Sequence, residues 1–196
     1  RESAIIYPPV ETATYCCSDG CDDFFLIVSR LVPYKRIELA VQACSKLGLP
    51  LKIVGDGRYR PALEALAGPS VQFLGWVDDR VVKQLYARCR ALIFPGEEDF
   101  GLTPLEAQAS GRPVIAFAGG GALETVIEGE TGAFFAEPTV ESLATALLDF
   151  REGEYDPQRI RQHASGFDVA VFQGQFRDLV KESYAEHSGR PLLLRR

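Results

Sequence analysis

Apolar runs of strand length alternate with helix-period segments along almost the whole of this 196-residue sequence. Phe24-Phe25-Leu26-Ile27-Val28 is a continuous apolar run, and Ile37, Ala40, Val41 and Cys44 then share one face of a helix predicted over 37–47. Gly48 and Pro50 stop that helix, and a strand follows over Leu51–Val54. The same reading gives a short helix over Pro61–Ala67, a strand over Val71–Leu74, and a helix over Asp79–Cys89 with Asp78 as its N-cap. Further strands fall at Ala91–Phe94, Val114–Phe117 and Ala133–Phe135, and further helices at Pro104–Ser110, Ala122–Ile127 and Val140–Phe150. From Pro157 to about Tyr184 the pattern is helical throughout. Apolar runs separated by helices imply βαβ units, hence an α/β, Rossmann-like parallel sheet with helices on both faces. Such a sheet binds ligands at the carboxyl ends of its strands.

That rule directs attention to five segments: 29–36 after the first strand, Gly55-Asp56-Gly57, Gly75-Trp76-Val77, 96–101, and 118–121. Residues 1–23 read as a linker and leading loop, 24–184 as the domain, and 185–196 as a tail in which Arg190 and Arg195–Arg196 form a solvated end. The sequence holds no Met and so begins without an initiator, which predicts a piece of a longer protein. With 27 acidic against 21 basic side chains the net charge is −6, and no basic run offers a nucleic-acid footprint. No apolar run is long enough to span a bilayer. The five cysteines are an odd count, and Cys17-x3-Cys21 lacks the second pair or nearby His of a zinc site. Unpaired thiols fit a reducing cytosol.

Arg30 and Lys35 follow the first strand, where a rigid guanidinium fork and a mobile ammonium would grip a diphosphate without metal. Glu98 and Glu106, with seven residues between them, place one carboxylate on a loop after a strand and one in the first turn of the next helix. Both can accept hydrogen bonds from sugar or ribose hydroxyls. Glu106 has an equal structural reading, because Thr103-Pro104-Leu105-Glu106 is also a capping box with Pro at N1 and Glu at N3. Glu98, flanked by Glu97 and Asp99, reads equally as a solvated charge. Phe100, Gly101 and Leu102 immediately precede a helix, so their N–H groups form an anion site. Gly55, Gly57, Gly101 and Gly119–Gly121 allow positive φ and close approach of a ligand, although ordinary turn chemistry explains each one singly. Trp76 reads as a packing residue ahead of a wall for a base. His163 reads as a helix-surface residue, and neither it nor His187 forms a nucleophile triad. The first strand is followed by neither Gly-x-Gly-x-x-Gly nor a Walker loop, which disfavours a dinucleotide-binding dehydrogenase and a P-loop NTPase.

Taken in order, Ser-Arg-Leu-Val-Pro-Tyr-Lys-Arg (29–36), Val-Gly-Asp-Gly (54–57), Phe-Leu-Gly-Trp-Val (73–77), Phe-Pro-Gly-Glu-Glu-Asp-Phe-Gly-Leu-Thr-Pro-Leu-Glu (94–106) and Gly-Gly-Gly-Ala-Leu-Glu-Thr-Val (119–126) resemble the group 1 glycosyltransferases of family 4. The likeness runs from about Tyr7 to Phe172 and is to the C-terminal, donor-binding half of a GT-B fold. It implies a retaining, metal-independent transferase using a nucleoside-diphosphate sugar. The wording of the motifs is nearest the mannosyltransferases of polysaccharide and O-antigen assembly, so GDP-mannose is the expected donor. The resemblance assigns Arg30 and Lys35 to the diphosphate and leaving group, Glu98 to the sugar hydroxyls and Glu106 to the ribose. The Phe100–Leu102 backbone would meet sugar and phosphate, and Gly57, Gly75, Trp76 and Val77 would complete the donor pocket. The saccharide or lipid-linked acceptor would be held by an N-terminal domain at the cytoplasmic face of a membrane. This chain alone would then bind donor without transferring it. Two other readings stand beside this one: a GT-B sugar-nucleotide epimerase, and a non-catalytic nucleotide-sugar-binding module.

Overall fold

Strands that are apolar on both sides must be covered on both faces, and that requirement sets the architecture. The computed structural model describes residues 4–18 and 20–188. Six parallel strands are β1 (Phe25–Val28), β2 (Leu51–Val54), β3 (Val71–Gly75), β4 (Leu92–Phe94), β5 (Val114–Phe117) and β6 (Gly132–Phe135). Between and after them run α1 (Ile37–Leu47), α2 (Arg60–Leu66), α3 (Asp79–Arg88), α4 (Leu102–Ala109), α5 (Ala122–Thr125), α6 (Val140–Asp149), α7 (Pro157–Ser165) and α8 (Val169–Ser188). The sheet order is β3-β2-β1-β4-β5-β6. The chain therefore steps outward from β1 to β3, then crosses to the other side of β1 and continues to β6. The carboxyl ends of β1 and β4 flank the point where the winding reverses, the usual position of a ligand crevice in such sheets.

Alternation along each strand divides the core into two layers. Phe25, Ile27, Ile53, Ile93 and Ile115 point to one face, where they pack with Ile37, Ala40, Val41 and Cys44 of α1 and with Leu143 and Leu147 of α6. Leu26, Val54, Leu92, Phe94, Val114 and Ala116 point to the other, against Tyr86 of α3, Leu105 and Ala109 of α4, and Ala164 of α7. Each fully buried Phe, Ile or Leu contributes about 1.5–3 kcal/mol from removal of apolar surface from water.

Helix boundaries follow local chemistry. Asp78 caps α3 by accepting from the Arg80 N–H, as its sequence position predicts. Thr139 and Asp156 do the same for α6 and α7. The helix at Ala122 is a single turn, and α8 carries on past the expected domain limit to Ser188. The rest of the expected tail, including Arg190, Arg195 and Arg196, lies outside the described residues, as do residues 1–3 of the linker.

The segment that reads as a linker docks at its far end. Val10 is buried and its N–H donates to the Phe167 carbonyl at 2.9 Å. Thr12 donates twice to Asp168 Oδ2, from its N–H at 3.2 Å and from its hydroxyl at 2.5 Å. These bonds, with one from the Ala170 N–H, hold the Asp168 carboxyl below its ordinary value. Two arginines staple the next stretch: Arg161 reaches the carbonyls of Tyr15 (2.9 Å) and Ala109 (2.7 Å), while Arg112 reaches those of Ala87 and Ser18. All five thiols are free.

Candidate functional site

The loops after β1 and β4 and the N-terminus of α4 enclose a crevice with two adjoining recesses that share Val28, Ser29, Arg30, Leu102 and Thr103. One, of about 750 Å³, is lined by Arg30, Lys35, Glu98, Phe100, Gly101 and Leu102 among others. The other, of about 670 Å³, runs toward α3 past Trp76, Val77, Lys83 and Glu106. The predicted residues are thus brought together, except for Gly57 and Gly75, which do not line either space. Gly57 has no positive φ; a side chain there would strike the Leu31 carbonyl at 2.2 Å, so this glycine serves the fit of two loops. Gly75 is buried at the end of β3, where its carbonyl accepts from the Gly55 N–H at 2.8 Å.

The two cations differ. Arg30 is exposed, and its guanidinium forms no hydrogen bond or ion pair among the described residues. Lys35 instead makes an ion pair with Glu98, with only 15% and 19% of the two side chains exposed. Glu98 is therefore not a solvated charge, and a ligand entering here meets a cation already partnered. The loop carrying Glu98 is held from behind, because the Gly121 N–H donates to the Glu98 carbonyl at 2.8 Å. Gly121 admits no side chain: a Cβ would lie 2.2 Å from Phe100 Cα.

The capping box expected at Thr103 does not form. The helix starts earlier, at Leu102, with Gly101 at φ 85° as its N-cap and no side-chain cap. Glycine is required there, since a Cβ would also sit 2.6 Å from Phe94 Cζ. The early N–H groups of α4 consequently face the crevice without a side-chain acceptor. Glu106 is displaced from N3 and freed from capping. Its Oε2 accepts from the hydroxyl of Tyr86 at 2.7 Å. Tyr15 also lies against it; burial first, and then the Glu106 charge, push both phenols above the usual tyrosine value, so both remain neutral donors.

Two further readings are corrected. Trp76 does not pack: it is 81% exposed and stands on the wall of the recess. His163 is half-buried rather than a surface residue, its Nε2 3.1 Å from the Thr125 carbonyl and its ring edge-on to Phe167. Sequence reasoning missed Tyr15 and Tyr86, because only the terminal hydroxyl of each carries the polar role. It also missed the clasp of Tyr7 stacked on Phe100, with ring centroids 5.3 Å apart. A third recess continues the crevice past Glu97, Glu98 and Asp99 to Gly120, Leu123 and Glu124. A hydrogen bond to Glu124 raises the pKa of the Tyr7 hydroxyl. No helix among the described residues is long and apolar enough to cross a membrane.

The family described as glycosyl transferases group 1 matches residues 18–166. Over 78 residues the chain is 44% identical to alpha-1,3/1,6-mannosyltransferase ALG2 of Dictyostelium discoideum, covering 39% of this chain and 18% of that protein. Over 106 residues it is 38% identical to a GDP-mannose-dependent alpha-mannosyltransferase of Mycolicibacterium smegmatis, covering 54% and 28% respectively. Among solved structures, Anabaena Alr3699/HepE in complex with UDP and glucose superposes with a TM-score of 0.78 at 24% identity, over 90% of this chain and 56% of that one. The chain thus spans well under half the length of these curated relatives.

Proposed function

Because the chain belongs to the group 1 glycosyl transferases, we propose that it is the donor-binding part of a retaining, metal-independent hexosyltransferase. The donor is a nucleoside-diphosphate sugar, read here as GDP-mannose, and the acceptor a saccharide or lipid-linked glycan. One observation carries the reading: Arg30, Lys35 and the N-terminus of α4 converge on one end of a crevice whose other end holds Glu106. Two cations and a row of N–H groups suit a diphosphate, and a carboxylate farther along suits ribose hydroxyls. The mannosyl names of two relatives support the choice of sugar, and the GDP-mannose in one of those names supports the base.

In this reading the bond between the anomeric carbon and the diphosphate oxygen breaks with its electron pair going to the oxygen. The acceptor hydroxyl attacks the same face of the sugar, and its proton passes to the departing diphosphate oxygen. Arg30, Lys35 and the α4 N–H groups stabilise the charge that accumulates on the departing diphosphate, and fixed donors of this kind carry much of the barrier reduction in comparable reactions. Acceptor recognition falls to the length of the relatives that this chain does not span.

A thermal-shift panel of GDP, UDP, ADP, GDP-mannose and UDP-glucose tests the proposal. A ligand at a hundredfold its Kd adds about 2.7 kcal/mol to the native state. GDP and GDP-mannose should raise the melting temperature most. No response to any diphosphate would end the reading, and a response to UDP alone would remove GDP-mannose.

A further inference from the structure

Tyr86 is wholly buried on α3, in the layer between that helix and the sheet. A buried phenol needs a partner for its O–H. Its partner is Glu106 Oε2 at 2.7 Å. Tyr15 meets Tyr86 edge-on, ring centroids 6.0 Å apart, and approaches the same carboxylate from the incoming segment. The ammonium of Lys83 sits 5.2 Å over the Tyr15 ring. Arg161 joins the Tyr15 carbonyl to the Ala109 carbonyl, tying the Tyr15 segment to the end of the helix that carries Glu106. The carboxylate is therefore approached by phenols from two separate parts of the chain, one of which Arg161 ties to α4.

We infer that Tyr86, supported by Tyr15, is a positioning residue that presents the Glu106 carboxylate to the cis-diol of a ribose. This rests on the proposed function, and specifically on Glu106 as the ribose ligand. An ionised carboxylate has about four lone-pair sites, and the phenol of Tyr86 occupies one on Oε2. Glu106 lines the recess, where two vicinal hydroxyls can donate to its remaining sites. Without the phenol the carboxylate is free to turn about its last torsion, and the diol must then order it on binding. Tyr86 does not touch the ligand; it acts through Glu106.

The experiment measures binding of GDP, 2′-deoxy-GDP and 2′,3′-dideoxy-GDP to the wild-type chain and to Tyr86→Phe by calorimetry, with the UDP series in parallel. Phe keeps the ring and its packing and removes only the hydroxyl. Wild type should prefer the ribonucleotide over the dideoxy form by about tenfold or more, the scale of a hydrogen bond to a charged group. Tyr86→Phe should collapse that preference to about threefold or less while leaving dideoxy binding within about twofold. An unchanged preference would overturn the inference, and so would an equal loss for all three ligands, which marks a residue that merely packs. Should Tyr86→Phe fail to fold, Tyr15→Phe at the edge of the recess gives the same readout. A wild-type chain that binds all three alike would remove the ribose role of Glu106 itself, a result distinct from a wild-type preference that Tyr86→Phe leaves intact.

Discussion

Replacing Glu98 with Gln is expected to tighten binding of a bare nucleoside diphosphate while weakening the added grip on its sugar. Lys35 and Glu98 are in direct ionic contact and largely shielded from water. Two unit charges about 4 Å apart at an effective dielectric of 20 attract by about 4 kcal/mol. The net value of a hydrogen bond to a charged group in a protein is smaller, about 1.5–3 kcal/mol. A diphosphate entering this recess must draw Lys35 away from that partner while approaching a carboxylate of its own sign. Gln retains a carbonyl for the ammonium but no charge, which releases roughly half of the net term, about 1 kcal/mol, or about fivefold in affinity. Calorimetry with GDP and GDP-mannose on both proteins, at low and high salt, measures the change. The gain for GDP should shrink as salt rises, and the GDP-mannose to GDP affinity ratio should fall because sugar hydroxyls lose a charged acceptor. Weaker GDP binding by Glu98→Gln would refute the competition argument. Identical shifts for both ligands would refute the sugar contact.

Lys35→Ala should cost more GDP affinity than Arg30→Ala, because it removes a cation and also leaves the Glu98 carboxylate unpaired beside the phosphates; titrations of both variants check the order. Both should affect GDP far more than guanosine, and equal losses for the two ligands would show that neither residue reads phosphate. Gly121→Ala should destabilise the fold by about 3 kcal/mol in urea denaturation, since its Cβ would meet backbone atoms, Phe100 Cα at 2.2 Å, the Phe100 carbonyl oxygen at 2.5 Å and the Asp99 carbonyl oxygen at 2.7 Å. Asp168→Asn should lower the melting temperature at neutral pH. A carboxylate with a depressed folded pKa stabilises above its unfolded value, near 3.8 here, and loses that effect as pH falls below it. The gap between Asp168→Asn and wild type should therefore narrow on acidification, and a constant gap would refute the assignment. Nucleotide binding should persist in excess EDTA; its loss, restored by magnesium or manganese, would overturn the metal-independent proposal.

Most of the sheet was legible because its strands are apolar on both sides and its helices are not. The β2 and β5 limits, Leu51–Val54 and Val114–Phe117, agree with the sequence reading, and so does α1 at Ile37–Leu47. The site's location follows from the same pattern, since sheet topology alone places residues after β1 and β4 at one crevice. What remained hidden depended on competition between partners. The sequence around Thr103 satisfies a capping box, but Gly101 takes the N-cap at φ 85°, where an added Cβ would also strike the Phe94 ring. Glu106 was then available to Tyr86, whose hydroxyl lies 20 positions away in sequence and leaves no mark on helical periodicity. The Lys35–Glu98 pair was likewise invisible, because both were read as ligand groups and neither as the other's partner.

The position of Trp76 has a practical consequence. It is the one tryptophan of the sequence, and it stands largely in water on the wall of the recess that also holds Glu106. An indole so placed emits as a hydrated fluorophore, and a nucleobase stacking on its face changes both its solvent and its quenching. With no second indole to dilute the signal, the chain carries its own optical sensor for occupancy of that recess. Unlabelled protein in a stopped-flow cell would then report how fast each nucleotide arrives and leaves, as well as how tightly it binds.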